Sequence, residues 1–398
     1  MKLLLLNGHG INFKVEKAKL HILDGRYEDD IKPKEYIFRP KNIDVDNIIV
    51  YGRSGDISIE AIRWLTKHNT TITILDWNGK LLTTIMPQES VQVKTKFSQY
   101  SAYKDYDLRL EIAQKIIKGK IERTKSVLEW LKLRYSINYD FSVEEDRLNN
   151  VVDVNEIIRI EARIARQYWR EVSKIIPKKF EFEGRNTVDR PFGAGDYINC
   201  MLNYGYAILE AECLRAINSS GLDVHVGFLH EMQLGKNSLA YDLQEPFRFL
   251  IDLAVISAIE KKLMNKKDFI RTENYNLRLR PSGAKKIINE IQAQFNKQAQ
   301  YKKKQYKWTQ IMLLQTRELA HYLLGLKRKL DFNEVDYELN REDSDKLRKI
   351  ILDIPYVKWK GLGFSKGTLH YMKQNAKSDK PFKLNKHVKE RLLEISGF

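Results

Sequence analysis

The spacing of hydrophobic and polar positions changes period once along the chain, and that change predicts the fold. Residues 3–6 and 11–23 alternate in β fashion across Asn7-Gly8, and residues 48–51 form a further β-branched run. The stretches TITILDW and KLLTTI flank Asn78-Gly79, which predicts a two-residue hairpin turn because both residues tolerate positive φ. One helix interrupts the strands, with Ser58 as its cap and Ile59, Ile62, Trp64 and Leu65 as its buried side. The first 90 residues therefore read as a small β-rich domain.

Residues 88–105 show no clear period and read as a linker; beyond them the spacing is helical. Helices are predicted over residues 108–133, 155–176, 197–217, 243–263 and 285–324, with Pro281-Ser282-Gly283 as a helix start capped by Ser282. The lysine run 302–304 reads either as a solvated helix face or as a DNA contact. The tail holds a short amphipathic helix over 344–354, a second opened by Pro355 and broken by Gly361 and Gly363, and a third capped by Ser365 and reaching about Lys377. Such a pattern predicts a helix-turn-helix, although a small protein-binding trihelical domain shares it. The expected fold is multidomain α+β: a β-rich domain (1–90), a large all-α catalytic domain (91–335) and a helix-turn-helix (340–398).

Composition narrows the partners. Of the 398 residues 43% are hydrophobic and 30% charged, a balance that buries a core rather than leaving the chain disordered. The net charge of +17 predicts a polyanionic partner, most simply double-stranded DNA, whose phosphates give sequence-independent affinity; a merely basic protein is the plainer explanation. Ten Lys/Arg against three Asp/Glu stand between Lys358 and Phe398, a net of +7 in 41 residues, so the surplus is concentrated where the helix-turn-helix is predicted. No apolar run reaches the ~20 residues that cross a bilayer. The opening MKLLLLNGHG turns polar too early for a signal peptide, so no membrane association and a cytoplasmic location are expected. Cys200 and Cys213 form no C-x-x-C and read as small core residues.

Two stretches carry chemistry. In NEIIRIEARIARQYWREV, Ile157, Ile158, Ile164 and Ala165 lie one turn from Glu161 and Tyr168 two turns on, which places a carboxylate in the middle of the buried stripe. Burial there costs several kcal/mol unless the carboxylate is paired, by an arginine or by a cation. In GFLHEMQLGKNSLAYDLQEPFRF, His230 precedes Asp242 and Glu245, two acids three residues apart that share a helix face. Pro246 fits a first turn and biases Glu245 away from αR, so both acids are expected at a helix N-terminus, where carboxylates are also favourable as simple end charges. One imidazole with two or three carboxylates suits Mg²⁺ or Mn²⁺ better than Zn²⁺ and, on a DNA-binding protein, points to phosphodiester chemistry. No G-x-S-x-G elbow, Walker A loop or dinucleotide fingerprint is present.

RIEARIARQYW, DYINCMLNYGYAIL and GFLHEMQLGKNSLAYDLQEPFRFLID resemble the catalytic domain of the CRISPR-associated spacer-acquisition integrases, and IVYGRSGDISIEAIRWLTKHNTTITILDWNGKLL resembles their N-terminal β domain. The resemblance implies Glu161, His230 and Glu245 as metal ligands and catalytic residues, Asp242 as their catalytic neighbour, and Asn199 and Arg248 in support. The basic tail IPYVKWKGLGFSKGTLHYMKQNAKSDKPFKLNKHVKERL resembles the C-terminal helix-turn-helix of casposases, the transposon-encoded relatives of those integrases. That resemblance implies an integrase that joins 3′-OH ends of transposon DNA to target DNA by divalent-metal transesterification. Expected DNA contacts are Arg248, Arg278, Arg280, Lys358, Lys360, Ser365, Lys366, Thr368, His370, Lys373 and Lys377. Joining two ends calls for a homodimer at least, and for a tetramer as the next closed assembly. The alternatives are a CRISPR integrase working with a small second adaptation protein, and a non-catalytic helix-turn-helix regulator.

Overall fold

The computed structural model describes residues 1–26, 33–76, 78–87, 92–132, 135–185, 194–272, 276–332, 335–336, 350–361, 363–377 and 392. They fall into two units, Met1–Asp336 and Tyr337–Phe398.

The first unit opens with a six-stranded mixed sheet of β1 (Leu3–Glu16), β2 (Lys19–Leu23), β3 (Glu35–Phe38), β4 (Asn47–Ile57), β5 (Thr71–Leu75) and β6 (Leu81–Ile85), in the order β3-β2-β1-β4-β5-β6. The strand pattern on either side of Asn7-Gly8 belongs to one strand. β1 runs through that dipeptide with bulges at Gly8/His9 and His9/Ile11, and the β1–β2 turn falls at Lys17-Ala18, both with positive φ. Gly8 is required there: its φ is +93°, and a Cβ would stand 2.5 Å from the Arg26 carbonyl oxygen. β4 pairs in parallel with both β1 and β5, and α1 (Ile59–Lys67) is the crossover between β4 and β5. The Ser58 hydroxyl accepts the Ala61 amide at 3.1 Å, as a cap should. The buried side of α1 is Ala61, Trp64 and Leu65, whereas Ile59 is exposed, so the expected face is rotated. The β5–β6 hairpin closes on Asp76, whose amide donates to the Lys80 carbonyl at 2.8 Å. Its loop is therefore longer than the two-residue turn predicted at Asn78-Gly79, and of those two only Gly79 has positive φ.

Residues 93–104 are not a linker but a helix, α2 (Val93–Lys104). It buries Thr95, Gln99 and Ala102 and exposes Val93 and Phe97, so its polar residues face inward and the hydrophobic period misleads. Gln99 explains the inversion, since its side-chain amide donates to the Asp223 and Val226 carbonyls at 2.9 and 2.7 Å. There follow α3 (Tyr106–Lys132), α4 (Ser142–Asn149), α5 (Val154–Ile175), α6 (Tyr197–Ser220), α7 (Ser238–Gln244), a 3-10 turn (Glu245–Phe247) and α8 (Arg248–Glu260). α6 and α8 are buried nearly all round, and Gly205 lets them meet: a Cβ there would lie 2.3 Å from the Ile251 side chain.

The remainder of the unit corrects the all-α expectation to mostly helical. β7 (Phe269–Arg271) pairs with β8 (Leu277–Leu279), and α9 (Pro281–Asn296) is followed by the hairpin β9 (Gln298–Tyr301) and β10 (Lys304–Lys307), then α10 (Trp308–Leu323) and β11 (Val335–Asp336). The predicted helix over 285–324 is thus two helices parted by a hairpin, and the lysine run turns that hairpin, with Lys302 and Lys303 at positive φ. Nor does Ser282 cap α9. Arg280 holds the cap position, Pro281 the first helical residue, and the Ser282 hydroxyl bonds Asp268 at 3.2 Å. Sheet and helices are joined by buried polar contacts: the Asn47 side-chain amide donates to Glu212 on α6 at 3.1 Å and accepts the Thr73 hydroxyl at 2.9 Å. Cys200 and Cys213 are both buried and free, as core residues.

In the second unit α11 (Tyr356–Gly361) and α12 (Lys366–Lys377) pack around Ile351, Ile354, Trp359, Leu369, Ala376 and Leu392. Gly363 turns the chain at φ +86°, and the Ser365 hydroxyl accepts the Thr368 amide at 3.1 Å to cap α12. The first part of the predicted helix over 344–354 and most of the tail beyond Lys377 lie outside the described residues. Among the described residues no helix is long and apolar enough to cross a membrane.

Candidate functional site

Four segments converge on one cleft. α3 packs against both α5 and the Glu245–Phe247 turn, and the loop before α7 delivers His230 to the same place. The cleft has a volume of ≈ 1120 Å³, and Lys120, Glu161, His230, Glu245 and Arg248 line it together with Arg163, Arg166, Arg170 and Arg185. A cavity walled by so many guanidiniums around carboxylates is built for phosphate-bearing ligands rather than apolar ones.

Glu161 lies at the margin of the buried stripe of α5, not in its middle. Ile157, Ile160, Ile164 and Tyr168 make the stripe, and the Glu161 side chain is 23% exposed. Its partner is neither of the expected kinds: Lys120 on α3 contacts it, and the same ammonium lies 2.5 Å from Glu245 Oε2. Lys120 is 17% exposed. Burial pushes its ammonium down, but the carboxylates of Glu161 and Glu245 outweigh that and hold it above the ordinary lysine value.

Glu245 departs from expectation in backbone and keeps its place in the cleft. It is in αR (φ −53°, ψ −47°) despite the following proline, as the residue that caps the C-terminus of α7 and opens the 3-10 turn; the helical turns on both sides override the pre-proline preference. Its carboxylate is 5% exposed, with Oε1 3.2 Å from Arg248 Nε. Burial raises its pKa, while Arg248 and Lys120 lower it further than burial raises it, so the group is held ionised below the usual range. Glu245 Oε2 is buried and makes no hydrogen bond of proper geometry among the described residues.

Asp242 does not share a face with Glu245 in the cleft. It sits inside α7, fully buried, with both oxygens committed: Oδ2 accepts the Phe228 and Leu229 amides at 2.5 and 3.0 Å, and Oδ1 accepts the His230 amide at 2.9 Å and faces His230 Nδ1 at 2.7 Å. A carboxylate so placed is an acceptor, so the proton belongs on Nδ1 and the Nε2 lone pair is left for a ligand. Burial lowers the His230 pKa, but the hydrogen bond and charge of Asp242 raise it above the ordinary value. Gly227 gives the carboxylate its room, since a Cβ there would stand 2.8 Å from Asp242 Oδ2 and from the Ser238 carbonyl carbon.

Behind Glu245 lies a second buried network that the sequence reading missed. The Tyr206 and Tyr168 hydroxyls donate to Asp252 at 2.6 and 3.0 Å, and the guanidiniums of Arg185 and Arg248 lie 5.1 and 5.0 Å from the Tyr206 ring centre. Burial pushes the Asp252 carboxyl up to about 6 against those hydrogen bonds. Arg185 also donates to Asn199 Oδ1 at 2.7 Å, and Asn199 is tied to Asp196, so Asn199 orients an arginine rather than facing the cleft.

The other predicted DNA contacts are dispersed. The Arg280 Nε–H donates to the Phe269 carbonyl at 3.3 Å, and Arg278 lies half-buried on β8; neither lines the cleft. In the second unit Lys358, Lys360, Ser365, Lys366, His370 and Lys377 are exposed, and Thr368 is half-buried in the cap of α12. Lys373 is spent on the Leu352 and Ile354 carbonyls at 2.9 and 3.2 Å.

As placed, no group of three or more His, Cys, Asp or Glu among the described residues stands close enough to hold a metal ion, and the Lys120 ammonium contacts both glutamates. The donor set nevertheless fits one. Two carboxylates and one imidazole line a single cleft, and the two carboxylates already share one cation, the Lys120 ammonium.

A family model described as CRISPR associated protein Cas1 matches residues 5–293, and the chain belongs to that family. The structure of a casposase bound to integration product is 56% identical, with a TM-score of 0.85 over 89% of this chain and all of the other. A CRISPR-associated endonuclease Cas1 of Archaeoglobus fulgidus is 29% identical over 306 residues, 72% of this chain and 88% of the relative. A Cas1 protein from Thermotoga maritima shares the fold at 18% identity, with a TM-score of 0.69 over 83% of this chain and 99% of its own.

Proposed function

We propose that the chain is a casposase-type DNA integrase, joining 3′-OH ends of an element's DNA to target DNA. The observation that carries this is the match to a casposase holding an integration product, at 56% identity over 89% of the chain. Glu161, Glu245 and His230 Nε2 would hold a divalent cation, Mg²⁺ or Mn²⁺, and Asp242 would set the histidine tautomer from behind. When bound, the cation supplies Lewis acidity at the phosphate and favours ionisation of the attacking hydroxyl.

The chain's own residues then bind and orient. Arg163, Arg166, Arg170, Arg185 and Arg248 line the cleft and neutralise DNA phosphates, with the Arg185 and Arg248 guanidiniums steadied against Tyr206. The donor 3′-OH loses its proton to solvent and attacks the target phosphorus in line. A new P–O bond forms as the bond to the target 3′-oxygen breaks, and that oxygen leaves as a protonated hydroxyl. One phosphodiester replaces another, so no nucleotide triphosphate and no covalent enzyme intermediate is needed. Residues 1–90, 91–335 and 340–398 would serve as sheet domain, catalytic domain and helix-turn-helix, with α12 as the helix presented to DNA and a dimer or tetramer bringing two ends together.

The test uses the purified chain alone, Mn²⁺, a plasmid target and a labelled oligonucleotide carrying the element's terminal repeat. Covalent joining is the expected result. Joining that requires a second adaptation protein would instead place the chain with the CRISPR integrases, and binding without joining would make it a regulator.

A further inference from the structure

We propose that Lys120 is the resident counter-ion of the cleft: its ammonium holds Glu161 and Glu245 together in the metal-free protein, and a divalent cation loads by displacing it. This rests on the reading of Glu161, Glu245 and His230 as the metal-binding set.

The two glutamates come from different elements, α5 and the turn after α7, and both contact one nitrogen from a third, α3. Two ionised carboxylates in a largely buried site repel each other unless a cation stands between them, and Lys120 is that cation here. It arrives by design of the helix. Lys120 follows Ile116 and Ile117 by four and three residues, so it continues the stripe on which Ile112, Ile116, Ile121 and Leu128 are buried. A lysine at such a position has the pair of glutamates as its reason for being charged.

Arg248 cannot play the same part. Its guanidinium is fixed between Glu245 Oε1 and the Tyr206 ring, whereas Lys120 has a flexible four-carbon stem and a single point charge. A divalent ion bound to both carboxylates would face that ammonium at a few ångströms, where like charges in a poorly solvated site repel strongly. Lys120 must therefore withdraw, and the cleft around it is open enough to take it. The consequence is competition: the lysine stabilises the empty site and weakens metal binding to it.

Mn²⁺ affinity of the DNA-free protein tests this by calorimetry, with a parallel thermal melt. Lys120→Met is expected to bind Mn²⁺ about tenfold tighter or more, a change of at least ~1.4 kcal/mol. Its metal-free form melts lower than the parent, and saturating Mn²⁺ closes most of that gap. Lys120→Arg, which keeps a cation, stays near the parent in affinity. Equal or weaker Mn²⁺ binding by Lys120→Met would overturn the proposal, as would a loss of fold that Mn²⁺ does not repair. The double variant Glu161→Gln with Glu245→Gln separates the two layers. If Mn²⁺ binding survives it, the site reading itself fails; if binding is lost there but unchanged in Lys120→Met, only the role of the lysine fails.

Discussion

Replacement of His230 by alanine is expected to lower strand joining by about a thousandfold or more, ~4 kcal/mol of transition-state stabilisation, while duplex binding changes by less than about twofold. The imidazole is the nitrogen donor of the candidate set and, among the described residues, the one histidine lining the cleft. Its Nδ1 is taken by Asp242, which leaves Nε2 to act. In the proposed function DNA affinity is assigned to arginines that line the cleft and to the basic tail rather than to the imidazole, so binding and chemistry are expected to separate in this variant. Full joining by His230→Ala with Mn²⁺ supplied would remove the histidine from the site.

Asp242→Ala is expected to cost about 3–5 kcal/mol in urea unfolding, the range for opening a buried charged network on one side. The carboxylate accepts three backbone amides and the imidazole within one stretch, residues 228–230, and alanine leaves those amides buried without acceptors. Joining falls as well, by about 10–100-fold at temperatures where the variant is folded, because the ring loses its tautomer and direction. Asp242→Asn keeps one acceptor oxygen and should fall between. A loss below about 1 kcal/mol in Asp242→Ala would show that the loop is held by something else.

These two variants also mark how far the sequence could be read. Most of the strands, the Ser58 cap, the Ser365 cap and the helix carrying Glu161 follow from local period and end chemistry, and the structure has them; β3 is not legible in the pattern, and the helix expected over 243–263 is a 3-10 turn holding Glu245 followed by α8. α2 and the β9–β10 hairpin were illegible for a physical reason: one buries glutamine and threonine where the rule expects leucine, and the other is a short polar ribbon between strong helices. The same holds at the site. A carboxylate beside an apolar stripe drew attention to Glu161, but its partner was read as arginine or metal. The identical signal, a charge at an apolar position, was present at Lys120 in IIKGKIE and at Asp252 in FLIDLAVI, and applying it there would have found both. What spacing could not give was depth. Asp242 and Glu245 are three residues apart, yet one turns back to the loop and the other lines the cleft, and the α-helix tightens to a 3-10 turn between them.

Glu161, Glu245 and His230 are expected to hold one divalent cation in the cleft. Diffraction from crystals soaked in Mn²⁺, recorded at the manganese absorption edge, locates that cation. An anomalous peak is expected within coordination distance of both carboxylates and of His230 Nε2, roughly 2–2.3 Å, with the Lys120 ammonium moved away from between the glutamates. Saturating Mn²⁺ found elsewhere, with Lys120 still bridging Glu161 and Glu245, would contradict that expectation.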